Sequence, residues 1–462
     1  MSTPPSQAPG IAGRVRARLT GALGGDGTKA RVLRGSSWTI IGFVIEQMIR
    51  LATSLILTRL LFPEAFGLMA LAQVFLIGLE MFSDVGLRPA IIQSDRGLDP
   101  RFLNTAWTLQ IVRGFVLWGL CCVLAIPAGR IYGESALTPI LCVLGASAAI
   151  SGFQTMAHAT LNKQLRLERL TAIQITGQVI GVGAMITWAW VEPTVWALVG
   201  GGLVGSLAKL ILGFAFLPGH GHAVEWDRES ARELFGFGSW IFVSSILGFV
   251  ANHGDRLILG RFLTMESLGM YQLAQNLGNL SKRLHDRLGG TVLLPLFAEK
   301  RSIDAKSTRL ARPHLIRVRL SLAGLLVPAT AVFLLFGQEI IDLLYDDRYA
   351  EAGWKLQVLA AGVGFHVATN IGQYPLAFGD SRLYTGLSAA RAACLIGSMT
   401  AGGMLYGEVG IIVGVATVPL LFYPVEALTQ RRYGLWLWKI DLLLIAVVAG
   451  VAAIAAMRSG LI

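Results

Sequence analysis

Charge and cysteine are both scarce in this chain of 462 residues. Asp, Glu, Lys and Arg make up 15% of it, whereas about 25% is usual in soluble globular proteins. The four cysteines lie inside apolar segments and lack the spacing of metal ligands, which argues against a disulfide-rich secreted scaffold and against a metal module. Hydrophobic residues reach 54%. These proportions exclude a soluble enzyme and a disordered chain, and they predict an all-α integral membrane protein.

Apolar segments of about 20 residues follow one another from Leu33 onward, and about 20 residues is the length that crosses a hydrocarbon core of ~30 Å. A helix satisfies its own backbone hydrogen bonds in that environment, so each segment is predicted to be helical. The predicted spans are 34–59, 67–92, 103–128, 136–158, 170–191, 195–217, 235–259, 268–296, 316–341, 354–378, 384–405, 409–428 and 440–457.

The distribution of Lys and Arg predicts the orientation of these spans. With a cytoplasmic amino terminus, 25 of the 39 cations, Arg319 among them, fall in loops on the cytoplasmic side. Six, Lys355 among them, fall on the outer side, and 8 fall within spans. Cytoplasmic loops of membrane proteins carry such an excess. The net charge of +11 therefore reports membrane topology, and no nucleic-acid partner is expected.

An internal repeat relates the two halves of the chain. Residues 37–73 match residues 239–275 at twelve of 37 positions when the sequence is shifted by 202, and Gly67 matches Gly269. Six predicted spans separate the copies, so both begin on the same side of the membrane, as in the parallel repeats of some transporters. This predicts two parallel six-helix lobes around a central cavity. The expected divisions are a cytoplasmic basic tail at 1–30, an N-terminal lobe at 31–218, a C-terminal lobe at 230–430 and an additional C-terminal helix at 436–462.

The repeated segments resemble a known family. LTRLLFPEAFGLMALAQ, from Leu57 to Gln73, is similar to the first-loop signature of bacterial polysaccharide transporters. DRLILGRFLTMESLGMYQLAQNL, from Asp255 to Leu277, is similar to their seventh and eighth helices. From about residue 31 to 430 the chain resembles the Wzx-type oligosaccharide flippases of the multidrug/oligosaccharidyl-lipid/polysaccharide superfamily.

This resemblance implies twelve to fourteen transmembrane helices in a fold like that of the multidrug exporters. It implies a flippase, without catalytic residues, metal or cofactor, that moves undecaprenyl-pyrophosphate-linked oligosaccharides across the inner membrane for exopolysaccharide, O-antigen or capsule. The implied partners are the lipid-linked oligosaccharide and the lipid bilayer, with the polysaccharide polymerase and chain-length machinery as candidates. A monomer is the default expectation.

Ionisable side chains inside membrane spans are costly and usually face a cavity or a charged partner. Eight cations form the candidate substrate site: Arg50, Arg113, Lys209, Arg256, Lys282, Arg283, Arg287 and Arg391. Six other groups are candidates for coupling transport to an ion, or for structural ion pairs: Glu46, Glu80, Asp84, Asp255, Asp286 and His253. Glu46 can pair with Arg50, because residues four apart share a helix face.

The eighth span carries the most polar residues, and they form one stripe at three- and four-residue intervals. In the second half, five cations face two acids, an excess that ion pairs cannot neutralise. Arg binds phosphate through two parallel hydrogen bonds and Lys acts as a point charge. We therefore expect the cations to bind the pyrophosphate of a lipid-linked glycan during alternating access, while the prenyl tail stays in lipid.

Three other functions remain open at this point. A cation-coupled multidrug exporter of the same superfamily would need an acidic cavity, whereas the predicted cavity is basic. A membrane-embedded glycan polymerase or ligase usually has a large periplasmic loop, but the outer loops here are short. A scaffold for polysaccharide assembly would not need buried cations in duplicated lobes.

Overall fold

The computed structural model describes residues 28–83, 86–94, 96–163, 167–217, 222–301, 312–370 and 374–458. All regular structure within these ranges is helical, which confirms the predicted all-α fold. The helices are α1 (Thr28–Leu60), α2 (Pro63–Phe82), α3 (Leu87–Gln93), α4 (Pro100–Tyr132), α5 (Leu137–Gly152), α6 (Ala157–Lys163), α7 (Leu167–Val191), α8 (Val195–Phe216), α9 (Arg228–Phe262), α10 (Met265–Arg301), α11 (Arg312–Leu344), α12 (Ala352–Thr369), α13 (Tyr374–Ala377), α14 (Ser381–Arg432) and α15 (Trp438–Arg458). We refer to α1–α8 as the first half and α9–α15 as the second half.

Every predicted span overlaps one of these helices. The spans 384–405 and 409–428 both fall within α14, which has 52 residues. Its backbone leaves the helical conformation at Tyr406 and Gly407, where Gly407 has a φ of +58° that favours glycine. The long helix is therefore two arms joined at this break.

Length and composition allow eight helices of the described chain to cross a membrane, or nine if α5 and α6, which meet at 58°, form a single span. Helix α14 is counted as one of the eight, although it consists of two arms. Helix α15 is among the eight, so the last predicted span is a helix of membrane-spanning length. Helices α9 and α10 are not among them, although they carry half of the predicted substrate-binding cations.

A polar segment at 222–227 joins the two halves and docks on α4. The backbone N–H of Asp227 donates to Thr105 Oγ1 at 3.1 Å, and Arg96 Nη2 lies 3.7 Å from Asp227 Oδ2. Asp227 also caps α9 by accepting from the Ser230 N–H at 2.9 Å, and the hydrogen bonds from Ser230 lower the pKa of the Asp227 carboxyl. The start of the second half is thus fixed to the first half by side-chain hydrogen bonds and an ion pair.

The repeated glycines face each other where α2 crosses α10. A Cβ on Gly67 would lie 1.9 Å from the Met265 carbonyl oxygen, and a Cβ on Gly269 would lie 1.9 Å from the Pro63 carbonyl oxygen. Pro63 and Met265 are themselves related by the shift of 202, so the contact is reciprocal. Two backbones can approach this closely only because both positions lack a side chain.

Two tyrosine hydroxyls tie the halves together near the same crossing. Tyr349 Oη donates to the Leu61 carbonyl at 2.8 Å, and Tyr132 Oη donates to the Leu257 carbonyl at 3.1 Å. Each hydrogen bond joins a side chain of one half to the backbone of the other. We call these two hydrogen bonds, together with the Gly67–Gly269 contact, the closed end.

A buried ion pair attaches α15 to the second half. Arg319 Nη2 of α11 lies 2.7 Å from Asp441 Oδ1, and the two side chains are 5% and 0% exposed. The same nitrogen donates to the Ala368 carbonyl at 2.7 Å, and Tyr423 Oη donates to Asp441 Oδ2 at 3.0 Å. The prediction that Arg319 lies in a cytoplasmic loop is wrong, because its charge is neutralised inside the helix bundle.

Replacing Asp441 with alanine should destabilise the protein by about 3–5 kcal/mol, because the Arg319 charge would stay buried without its partner. A matched control is the Arg458–Glu339 pair, which joins the same two helices at 2.7 Å but is half exposed. Exposed pairs contribute about 0–1 kcal/mol, so Glu339→Ala should barely lower the melting temperature in detergent. Equal melting temperatures for the two variants would contradict this account.

Candidate functional site

The cations of α10 reach the first half along one face of α1. Arg283 Nη1 lies 3.5 Å from Gln47 Oε1, and the Arg287 guanidinium stacks 4.7 Å from the centre of the Phe43 ring. Phe43 and Gln47 are four residues apart, so they are adjacent on α1. Basic side chains of the second half therefore lie against the first helix of the chain.

Arg50 lies almost one turn farther along α1 and joins this group. The charges of Arg50 and Arg256 both act on Arg283. None of the three has a salt bridge in the part of the chain that the structure describes. We call Arg50, Arg256 and Arg283 the interface cluster. Like charges held together without counter-ions repel one another, so the cluster is poised to bind an anion.

Arg256 is held in place by an amide that also serves a buried acid. Its Nε donates to Gln275 Oε1 at 3.0 Å, while Gln275 Nε2 donates to Asp255 Oδ2 at 2.7 Å. Tyr271 Oη donates to the same carboxylate oxygen at 2.6 Å. The adjacent Asp255 and Arg256 thus do not pair directly, and Gln275 keeps the guanidinium charge unneutralised. Tyr271 was not among the predicted site residues, because its partner Asp255 lies 16 positions away on another helix.

Two other cations of the second half line a small cavity of about 110 Å³. Lys282 and Arg391 line it, together with His366 and Asp255. Lys282 Nζ lies 3.8 Å from Asp286 Oδ2, and His366 Nε2 lies 3.3 Å from Asp286 Oδ1. One acid therefore partly offsets Lys282, whereas no described carboxylate pairs with Arg391.

His285, Asp286 and His366 are close enough to share a metal ion, since their ligand atoms lie within 4.8 Å of one another. Lys282 already pairs with Asp286, and Arg391 acts on both Asp286 and His366. The positive charges of Lys282 and Arg391, so close to these side chains, oppose the binding of a divalent cation. These charges disfavour a metal ion at the three side chains, and Asp286 is instead the partner of Lys282 and His366.

The acids and the histidine predicted for coupling have different surroundings. Glu46 and Arg50 form no salt bridge within the described residues, although both side chains are described. Asp255 Oδ1 and His253 Nδ1 are buried without a hydrogen-bond partner. Asp84 lies outside the described residues. A coupling role for Glu46, Glu80, Asp84, Asp255, Asp286 or His253 stays a prediction.

The first-half cations lie in two neighbouring cavities. Arg113 donates to Ser83 Oγ at 2.9 Å and to the Glu80 carbonyl at 2.7 Å, so it ties α4 to the end of α2. It lines a cavity of about 540 Å³ together with Glu80 and Lys209. Lys209 and Arg50 line a second cavity of about 350 Å³ beside it. The structure thus brings Arg50, but not Arg113, to the interface cluster.

A fully buried lysine near the closed end, Lys355, was not among the predicted site residues. Lys355 was assigned to an outer loop, yet its side chain is 0% exposed and its Nζ lies 2.9 Å from Glu408 Oε1. Ser267 Oγ accepts from the same nitrogen at 2.6 Å and also donates to Glu408. A predicted apolar span begins at residue 354, one position before Lys355, and this was the available sign that the lysine is buried. Its ion-pair partner, Glu408, lies 53 positions farther along the chain, so spacing does not reveal the pair.

Comparison with known proteins identifies related sequences and folds. A family model described as polysaccharide biosynthesis protein matches residues 56–353. Over 422 residues the chain is 22% identical to the lipopolysaccharide biosynthesis protein WzxC of Escherichia coli K12, covering 89% of this chain and 85% of that protein. Over 272 residues it is 22% identical to the teichuronic acid biosynthesis protein TuaB of Bacillus subtilis, covering 59% and 56%.

Two groups of solved structures share the fold. An inward closed conformation of the lipid II flippase MurJ superposes with a TM-score of 0.63 at 12% identity, covering 90% of this chain and 91% of that one. An inward-facing multidrug transporter of the MATE family superposes with a TM-score of 0.62 at 15% identity, covering 84% and 94%. At these identities the likeness establishes the fold and not the substrate.

Proposed function

The chain belongs to the family of polysaccharide biosynthesis proteins, and we propose that it is a flippase that carries lipid-linked oligosaccharides across the membrane by binding their diphosphate. It is a transporter and not an enzyme. The observation that supports the diphosphate site most strongly is the interface cluster. Arg50 lies on α1 of the first half, Arg283 of α10 reaches Gln47 on that same helix, and Arg256 donates to Gln275 of α10. None of the three has a salt bridge among the described residues, and the charges of Arg50 and Arg256 both act on Arg283.

A diphosphate has the chemistry that this cluster requires. It carries more than one negative charge, and its oxygens can accept paired hydrogen bonds from the planar guanidinium groups. Binding it would replace the mutual repulsion of the three arginines by attraction. Lys282 and Arg391 lie farther into the second half and would extend the positive field, with Asp286 offsetting part of it. A cationic drug would meet repulsion at the same place, which disfavours the multidrug-exporter alternative.

We assign the two halves to the two lobes expected from the repeat, 31–218 and 230–430, with the segment 436–462 as an added helix. In this proposal the diphosphate binds between the lobes, which rock about the substrate so that one end opens as the other closes. Undecaprenyl diphosphate is the proposed carrier. The protein would lie in the inner membrane with a cytoplasmic amino terminus and act as a monomer. A polysaccharide polymerase and chain-length machinery would act on the glycan after it is flipped.

Deleting the gene should make single lipid-linked repeat units accumulate in the inner leaflet, because synthesis continues while transfer stops. Leaflet location can be measured by the accessibility of the glycan to a membrane-impermeant oxidant or lectin, in spheroplasts and in inverted vesicles. Re-expression of the wild-type chain should restore transfer. Accumulation of unpolymerised units in the outer leaflet instead would favour a polymerase and contradict the flippase proposal.

A further inference from the structure

The first half contains a cavity that the diphosphate hypothesis leaves largely unused. It measures about 350 Å³ and is walled by α1, α2, α7, α8 and by Gln272, Leu273 and Asn276 of α10. That volume lies at the lower end of the ~300–1,000 Å³ of small-molecule sites. The cavity is therefore large enough for a compact polar group attached to the diphosphate.

The polar lining of this cavity is neutral except for two cations. Amides and hydroxyls dominate the polar side chains, which are Thr53, Ser54, Gln73, Gln178, Ser206, Gln272 and Asn276. Arg50 lines the side nearest the interface cluster, and Lys209 is the second cation. No carboxylate is among the described lining residues. Amides and hydroxyls can both donate to and accept from sugar hydroxyls.

Glycines on α7 and α8 give the lysine its route into the cavity. A Cβ on Gly177 would lie 2.3 Å from Lys209 Cγ, so the lysine stem passes directly over that glycine. Gly181 and Gly205 allow the same two helices to cross, because a Cβ on Gly181 would lie 2.9 Å from the Gly205 Cα. The position of Lys209 thus depends on the absence of side chains on the facing helix.

Lys209 has no salt bridge and no hydrogen bond to any described residue. Two acids lie in its surroundings. The charge of Glu46 acts on Lys209 against that of Arg50, and Glu80 lines the adjoining cavity of about 540 Å³ together with Lys209. A partly buried ammonium inside a membrane protein is costly unless an anion accompanies it. The interface cluster already accounts for the diphosphate, so Lys209 indicates a second and smaller anion.

We propose that this cavity is an acidic-sugar subsite, in which Lys209 is the counter-ion for the carboxylate of a sugar near the diphosphate. The inference rests on the proposed flippase function and narrows its substrate to acidic glycans. A single ammonium suits a single carboxylate, whereas phosphate favours the paired guanidinium groups outside the cavity. The amides and hydroxyls around Lys209 serve the hydroxyl groups of the same sugar.

The test compares three probes with the full-length chain in nanodiscs: undecaprenyl diphosphate, the same lipid bearing glucose, and the same lipid bearing glucuronic acid. The two sugars differ only in a hydroxymethyl or carboxylate group. Wild type should bind the glucuronic acid lipid about tenfold more tightly than the glucose lipid. Lys209→Gln should abolish this preference and leave the affinity for undecaprenyl diphosphate unchanged.

Several controls separate a lost charge from a lost fold. Lys209→Arg keeps the charge and should keep the preference, while Lys439→Gln removes an exposed lysine and should change nothing. Gly177→Ala, which displaces the lysine stem, should reduce the preference even if Lys209→Gln fails to fold. Melting temperatures in the same nanodiscs report folding for each variant.

Other outcomes would overturn the inference. Equal wild-type affinity for the two glycolipids, or a preference that survives Lys209→Gln, would remove the acidic-sugar subsite. Weaker binding of undecaprenyl diphosphate by Lys209→Gln would assign the lysine to the diphosphate instead. If wild type bound none of the three probes, the flippase proposal itself would fail, which is a distinguishable result.

Discussion

Replacing Gly67 with alanine is expected to open the closed end and to slow transport. The added methyl would lie 1.9 Å from the Met265 carbonyl oxygen, so α2 and α10 would have to separate by about 1 Å or more to reach van der Waals contact. Overpacking of this kind costs about 1–3 kcal/mol. That cost falls only on the state in which the two helices are in contact, so the population should shift about 5- to 150-fold away from it.

Spin labels at Arg59 and Arg261 can measure the shift, because both side chains are exposed and lie at equivalent positions of the repeat. Electron–electron distances should lengthen in Gly67→Ala relative to wild type. Gly183→Ala is a matched control, since it makes the same change within a helix at a position with no atom within 4 Å of the added Cβ. Unchanged distances in Gly67→Ala would contradict the closed-end contact.

The reciprocal glycine supplies an internal check. Gly269→Ala meets the Pro63 carbonyl at the same 1.9 Å, so its effect should match that of Gly67→Ala. Once one methyl has separated the helices, the second methyl should increase the spin-label distance less. The effect of the double variant should therefore be smaller than the sum of the effects of the two single variants. Strictly additive effects would mean that the two glycines do not share one contact.

The interface cluster gives the second large effect. Arg50→Gln and Arg283→Gln should each reduce transport about 10- to 100-fold, because each removes a charge-assisted hydrogen bond to the diphosphate worth about 1.5–3 kcal/mol. Neither change should lower the melting temperature. The arginines repel one another in the protein without substrate, and a bound diphosphate would offset that repulsion. Removing one arginine charge also relieves the repulsion, so it should not destabilise the fold.

A loss of transport without a loss of stability distinguishes a binding site from a structural ion pair. Arg59→Gln is the matched control, because Arg59 is exposed on the same helix as Arg50 and lies nine residues away. It should leave transport unchanged. A fall in melting temperature for Arg283→Gln, without loss of transport in the protein that remains folded, would mean that the cluster serves the fold and not the substrate.

The helices were predictable from the sequence because apolar length alone determines where a chain can cross a bilayer. The repeat also predicted the correspondence of Gly67 and Gly269, although not that the two would touch. Helical spacing was less reliable for ion pairs. Glu46 and Arg50 are four residues apart, yet they form no salt bridge among the described residues, and Arg50 acts on Arg283 of a distant helix instead.

The predictions that failed depended on partners from remote helices. Arg319 and Lys355 are near the ends of apolar segments, where a cation is usually solvated, but Asp441 and Glu408 bury them. Each partner is more than 50 positions away in the chain. The bridge that Gln275 makes between Arg256 and Asp255 likewise needs α9 and α10 packed together. Sequence spacing predicts the face of a helix, while packing decides which other helix meets it.

The central claim is that this chain moves a diphosphate-linked glycolipid across a bilayer. Its most direct test is a reconstitution of purified wild-type protein into liposomes that carry fluorescent glucuronosyl undecaprenyl diphosphate, with a membrane-impermeant quencher reporting each leaflet. Wild-type liposomes should exchange the lipid between leaflets much faster than protein-free liposomes, and Arg50→Gln/Arg283→Gln liposomes should approach the protein-free rate. Exchange by folded wild-type protein at the protein-free rate would contradict the account.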